Sequence, residues 1–152
     1  MPELPEVETT RRGVAPYSQG RVVTGVVVRD SRMRWPVPAD LPRRLKGQQV
    51  QKVERRAKYL LFYTAAGAVM MHLGMSGSLR VVGHDEPPMK HDHIDIVFEG
   101  DYRLRFNDPR RFGCCLWLQP GEDHPLLMNL GPEPLTSDFS GDFLYGRSKG
   151  RK

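Results

Sequence analysis

From residue 21 onward the sequence is a succession of short segments rich in valine, isoleucine and aromatic residues, each closed by turn-forming residues. "RVVTGVVVRD" is followed by "QVQKVERRAKYLLFYT", "AVMMHLGMSGSLRVVG", "HIDIVFEG", "YRLRF" and "GCCLWLQ". "HIDIVFEG" and "YRLRF" alternate apolar and polar residues with period two, the mark of half-buried strands. Ala65 to Gly67 and Glu99-Gly100-Asp101 fall where hairpin turns are needed, and "HDEPPMKHD" reads as a loop. About seven or eight short strands predict a sandwich or a barrel. We expect a mainly β (α+β) fold with flanking helices, a two-sheet antiparallel β-sandwich with an N-terminal helix. Pro5 opens that helix, which runs through Val7 to about Val14, and Gly13 and Pro16 mark its end. "DLPRRLKG" holds one further helical turn.

A chain of 152 residues is one domain with room for a core. Its formal charge of +5 and isoelectric point near 9.5 suggest an anionic partner, although a solvated basic surface gives the same totals. Arginines cluster at Arg11-Arg12, Arg29 to Arg34, Arg43-Arg44, Arg55-Arg56 and Arg110-Arg111, with Trp35, Tyr59, Phe62 and Phe112 close by. Phosphate contact plus base stacking requires that mixture, if the fold gathers the clusters on one face. The adjacent Cys114 and Cys115 lie in an apolar run and read as buried thiols in a reducing, intracellular setting. There is no signal-peptide core behind Met1 and no stretch of 18 apolar residues, so neither secretion nor membrane spanning is expected.

Five constellations could carry chemistry. In "MPELPEVETT", removal of Met1 would leave Pro2 as a secondary amine, and an α-amine has a pKa of roughly 7.7–8.0. Such an amine can attack a sugar C1′, expel a base and form an iminium, with the carboxylate of Glu3 moving the proton. The same prolines and acids, Glu6 and Glu8 included, also suit a capped first helical turn. Lys58 in "RRAKYLLF" is either a phosphate contact or proton donor, or an ordinary lysine at a strand start.

In "HLGMSGSLR", Gly74 and Gly77 permit a tight turn presenting Met75 and Ser76, with Met75 either a wedge for a base stack or core filler. His72 before it is a phosphate donor or a satisfied strand histidine. His91 and His93 in "KHDHIDIVF" fall on one face of a strand, but convincing third and fourth ligands are missing, so no metal site is expected. Phosphate contact by Lys90 or His91 suits the basic context better. In "FNDPRRFG", Asp108-Pro109 starts a turn projecting Arg110, Arg111 and Phe112, either toward a base or as a hairpin tip with Phe112 in the core. "GMSGS" is not the GxSxG elbow of a serine hydrolase, and no glycine-rich nucleotide loop occurs.

Taken together and in order, "MPELPEVET", "RRAKYLL", "HLGMSGSLR", "KHDH", "DPRRFG" and "LGPEPL" resemble the bacterial formamidopyrimidine-DNA glycosylase family, from Met1 through at least Leu135. The leucine of "PELPE" and the "DPRRFG" segment look more like that branch than like the related endonuclease VIII branch, whose specificity for oxidised pyrimidines is the alternative.

The resemblance implies a base-excision repair enzyme, a DNA glycosylase and abasic-site lyase. It would remove 8-oxoguanine and formamidopyrimidines from duplex DNA and nick the strand by β,δ-elimination. It implies Pro2 as Schiff-base nucleophile, Glu3 as acid–base partner, Glu6 in support, and Lys58 as phosphate contact and proton donor. It implies His72 and His91 as DNA contacts. Met75, Arg110 and Phe112 would fill the gap left by a flipped nucleotide, Arg110 facing the orphaned cytosine. It further implies a monomer acting on bacterial DNA in the cytoplasm. Members of the family continue into a helix–two-turn–helix region and usually a zinc finger with four cysteines. Residues 1–135 are therefore expected to form the N-terminal catalytic domain and 136–152 a basic linker or the start of that helix–two-turn–helix region, with no cofactor or zinc in this chain. A weakly active or inactive DNA-binding fragment is the remaining alternative.

Overall fold

The computed structural model describes residues 4–74 and 76–120. Helix α1 (Leu4–Ser18) leads into β1 (Val23–Val28), the short helix α2 (Leu41–Leu45) and seven further strands. These are β2 (Lys52–Arg56), β3 (Tyr59–Thr64), β4 (Gly67–His72), β5 (Ser78–Gly83), β6 (Asp92–Phe98), β7 (Tyr102–Asn107) and β8 (Cys114–Leu118). They form two four-stranded sheets, β1-β6-β7-β5 and β2-β3-β4-β8, with every pairing antiparallel. The two-sheet sandwich with an N-terminal helix expected from the sequence is the observed architecture.

The core lies between the sheets. Leu60, Phe62, Val69 and Met71 of one sheet meet Ile94, Ile96, Leu104 and Phe106 of the other, and α1 adds Val7 and Val14. Leu61, Met70, Cys114 and Leu116 form a second buried cluster on the opposite face of β3, β4 and β8. Burial on both faces explains why "YLLFYT" and "AVMMH" are near-continuous apolar runs instead of alternating ones. Both cysteines are buried free thiols, and burial pushes that of Cys114 up to about 11.

Three local expectations change. Helix α1 does not stop at Gly13 and Pro16 but includes both. Proline removes one helical hydrogen bond, yet Val14 and Ser18 are buried beyond the glycine and hold the last turn in place. The Ser18 hydroxyl donates to the Val14 carbonyl at 2.9 Å, closing that turn. Strand β6 does not turn its polar residues to water: Asp92, His93 and Asp95 are all buried. His91 is not part of that strand either. It precedes β6 with φ of 72°, so it and His93 do not share a strand face, although their rings stand 6.0 Å apart edge to face.

Candidate nucleic-acid interface and active site

Strand register gathers the site. In one sheet Tyr59 pairs with His72, and His72 with Cys114. In the other, Ser78 and Asp92 both pair with Asn107. The turn before Tyr59, the loop after His72, the loop before Asp92 and the loop after Asn107 therefore emerge at one end of the sandwich. These segments carry Lys58, His91, and Arg110 with Phe112. Both β4→β5 and β7→β8 pass from one sheet to the other, so "DPRRFG" is a crossing between sheets and not a hairpin tip.

The two crossings touch backbone to backbone. A Cβ on Gly74, whose φ is 69°, would lie 2.6 Å from the Gly113 nitrogen and 2.7 Å from the Phe112 carbonyl carbon. One on Gly113 would run into the His72 carbonyl oxygen. Only glycine permits that approach. Asp108, fully buried, fastens the loops together. Its carboxylate accepts the Ser76 hydroxyl at 3.1 Å and the Gly113 N–H at 2.8 Å. Ser76 Oγ in turn accepts the Arg110 N–H at 3.4 Å. The Asp108 N–H donates to the His91 carbonyl at 3.0 Å, and the Asp108 carbonyl accepts His93 Nε2–H at 2.8 Å. His93 is thus a buried fastener of the site. Sequence reading missed Ser76 and Asp108 as its organisers, although a polar residue in each glycine-bearing turn was the available signal.

Arg110 and Arg111 face opposite ways. The Arg110 guanidinium lies 5.4 Å over the ring of Phe112, which is 44% exposed and so does not anchor the core. Arg111, with φ of 59°, turns back onto Asp30, whose carboxyl the adjacent Arg32 and Arg111 hold well below the usual range.

His72 Nδ1 accepts the Gly74 N–H at 2.9 Å, which leaves the hydrogen of the neutral ring on Nε2. Burial first, then the charges of Lys58 and Arg34, lower its pKa below the ordinary histidine value. The ring packs against Tyr59 at 4.8 Å. His72 thus offers a neutral Nε2–H donor beside two cations. Lys58 lies not in a strand but in the two-residue turn between β2 and β3, after Ala57 with φ of 52°. Arg34 is exposed, and its N–H donates to the Gly113 carbonyl at 3.3 Å.

Most of the arginine clusters do not form a phosphate-binding face, because carboxylates within the fold pair with them. Glu8 holds Arg11, Arg12 and Arg55, and its pKa is lowered to about 2, chiefly by the Arg11 hydrogen bond. Asp95 holds Arg29, Arg103 and Arg105, and Asp40 holds Arg43 and Arg44. Arg34 and Arg110 make no ion pair among the described residues, and both belong to the site.

Pro2, Glu3 and Met75 lie outside the described residues, as does the whole 136–152 segment. Glu6 is exposed in the first turn of α1. The Glu8–Arg55 contact of 3.2 Å places the start of that helix beside the end of β2 that leads to Lys58. A cleft of about 380 Å³ between α1 and β5, lined by Tyr17, Val81 and Tyr102 among others, shares no residue with this cluster. Among the described residues no group of three metal-binding side chains converges, and no helix is long and apolar enough to cross a membrane.

The chain is 58% identical over 151 residues to the formamidopyrimidine-DNA glycosylase of Stenotrophomonas maltophilia, covering 99% of this chain and 56% of the relative. It is 59% identical over 153 residues to that of Hahella chejuensis, covering 100% and 56%. It therefore spans little more than half the length of these relatives. Among solved structures, the Lactococcus lactis formamidopyrimidine-DNA glycosylase bound non-covalently to DNA containing an abasic site superposes with a TM-score of 0.71. That comparison has 33% identity and covers 77% of this chain and 45% of the other. MutM in complex with DNA containing carbocyclic 8-oxoguanine gives 0.72 at 33% identity, covering 78% and 45%. Residues 1–115 match the family described as the formamidopyrimidine-DNA glycosylase N-terminal domain, and the chain belongs to that family.

Proposed function

We propose that this chain is the catalytic part of a base-excision repair enzyme that removes oxidised purines from duplex DNA and cleaves the resulting abasic site. The observation that carries this reading is the convergence of Lys58, His72, His91, Arg110 and the exposed Phe112 at one end of the sandwich, where Asp108 fastens the loops of Ser76, His91 and Phe112 together. A base stacked in a duplex hides C1′ from attack, so the nucleotide must be extruded and the gap filled. Phe112 supplies an apolar wedge and Arg110 a donor for the orphaned base, with Met75, next to Gly74 in sequence, assigned as the second wedge. Neutral His72 and cationic Lys58 suit the phosphates flanking the lesion.

In the chemical step the Pro2 nitrogen, freed by loss of Met1, bonds to C1′. The base leaves with the glycosidic electron pair and receives a proton through Glu3. The Pro2 nitrogen gives up its proton and the ring oxygen gains one as the C1′–O4′ bond breaks, which opens the sugar and leaves an iminium. Abstraction of a C2′ proton then expels the 3′-phosphate, and loss of the C4′ proton expels the 5′-phosphate, with Lys58 as proton donor and Glu6 supporting the site. The oxidised-purine assignment draws on the solved relative bound to DNA containing 8-oxoguanine. The same reading makes residues 1–135 the catalytic domain and 136–152 a linker, in a cytoplasmic monomer. The test is borohydride trapping on an oligonucleotide duplex with one abasic site. A covalent adduct with the Met1-processed chain, lost when the Pro2 nitrogen is acetylated, is expected, and absence of any adduct overturns lyase chemistry in this chain. A second reading, DNA binding without turnover, draws on the same exposed Arg110 and Phe112, and it predicts salt-sensitive binding with neither adduct nor nick.

A further inference from the structure

We infer that Arg55 is a positioning residue for Lys58, joining the turn that carries Lys58 to the helix that follows Pro2 and Glu3. The inference rests on the role given to Lys58 above. Lys58 sits in a two-residue turn whose first residue, Ala57, occupies the left-handed backbone region at φ of 52°. That conformation suits glycine or asparagine, and alanine persists there only where the surroundings hold it. Arg55 is part of those surroundings: its Nη1–H donates to the Ala57 carbonyl at 2.9 Å. The Nε–H of the same guanidinium donates to Glu8 Oε1 at 3.2 Å, and the side chain is only 6% exposed. Glu8 lies on α1, which begins at Leu4, immediately after Pro2 and Glu3.

One planar group thus reaches the carbonyl beside Lys58 and the helix that follows Pro2 in sequence. The fork geometry matters, because an ammonium is a point charge on a flexible stem and does not fix two acceptors in one plane. A contact that only glued α1 to the sheet would need the Glu8 bond alone. The bond to Ala57 acts on the backbone of the turn and therefore on where the Lys58 side chain starts. The consequence falls on elimination, where Lys58 is assigned, and not on formation of the Schiff base, which belongs to Pro2.

The experiment compares the 152-residue chain with Arg55→Gln, Arg55→Lys and Glu8→Gln by two measurements. Hydrogen exchange at the amides of residues 57–59 is expected to quicken at least ten-fold in both Arg55 variants, with β4 and β7 as protected as before. Glu8→Gln keeps an acceptor oxygen for the guanidinium and is expected to keep the turn protected. On abasic-site DNA, the ratio of nicked strand to borohydride-trapped adduct is expected to fall about ten-fold in the Arg55 variants. Unchanged exchange at the turn overturns the inference. So does loss of protection throughout both sheets, which would make Arg55 a residue of the fold at large. A loosened turn with an unchanged ratio also overturns it. Where the parent chain forms no adduct, the lyase reading fails instead, and the exchange measurement alone decides whether Arg55 holds the turn.

Discussion

Asp108 is the residue on which the two crossing loops depend. Each carboxylate oxygen has one task, Oδ1 accepting the Ser76 hydroxyl and Oδ2 the Gly113 N–H, in a place water does not reach. The two donors differ in what they tolerate. A serine hydroxyl can rotate and accept from an amide, whereas a backbone N–H cannot, so Asp108→Asn can keep both contacts with its oxygen toward Gly113. Asp108→Ala leaves that N–H buried and unpaired, which costs about 1–3 kcal/mol for the group alone. Urea unfolding is expected to show a loss of roughly 2–4 kcal/mol for Asp108→Ala, cavity included, and under half of that for Asp108→Asn. Equal losses would show that the carboxylate's charge, not its geometry, holds the loops. The "DPRRFG" motif was legible as a projecting turn, but the opposite directions of its two arginines were not. Arg111 turns inward because Asp30 waits for it, and that partner is 81 residues away in sequence.

At the level of strands, β6 shows where periodicity misleads. Its polar positions alternate as an exposed face should, yet Asp95 is entirely buried. The reason lies across the sheet: Asp95 is opposite Arg105 of β7, with Arg29 and Arg103 alongside. Burial pushes the Asp95 pKa up, but the Arg29, Arg105 and Arg103 guanidiniums outweigh it and hold the carboxyl well below its usual range. Arg105, 1% exposed, also donates to the Glu86 and Pro87 carbonyls at 3.0 and 3.1 Å, so it tethers the loop leading to His91. Removing the carboxylate strands three guanidiniums, and breaking a buried pair typically costs about 3–5 kcal/mol. Asp95→Ala is therefore expected to lose stability of that order in urea unfolding, with faster hydrogen exchange across residues 84–91. A loss under about 1 kcal/mol would mean that water already screens the cluster. The strand itself was legible, whereas its burial was not, since the alternating pattern carries no information about which opposite charges the register will supply.

For the whole molecule, net charge and usable charge are different quantities. The +5 total suggests a broad phosphate-binding face, but most arginines are paired with Glu8, Asp30, Asp40, Asp92 or Asp95. Among the described residues, Arg34, Lys90 and Arg110 stand around the site with no ion pair, and Lys58 stands there with them, Arg34 identified only by its place beside Gly113 and His72. If each meets one phosphate, the slope of log K against log salt on duplex DNA is about −0.9 per contact, or roughly −3 to −4. Arg34→Ala is expected to reduce that slope by about one. Arg43→Ala, at an exposed pair with Asp40 on α2, is expected to leave it unchanged. A parent slope steeper than about −7 would require the internal pairs to open on DNA. An unchanged slope in Arg34→Ala would remove that residue from the interface. Titrations of an abasic-site duplex from low to moderate salt, followed by fluorescence anisotropy, separate these outcomes without requiring any turnover by the chain.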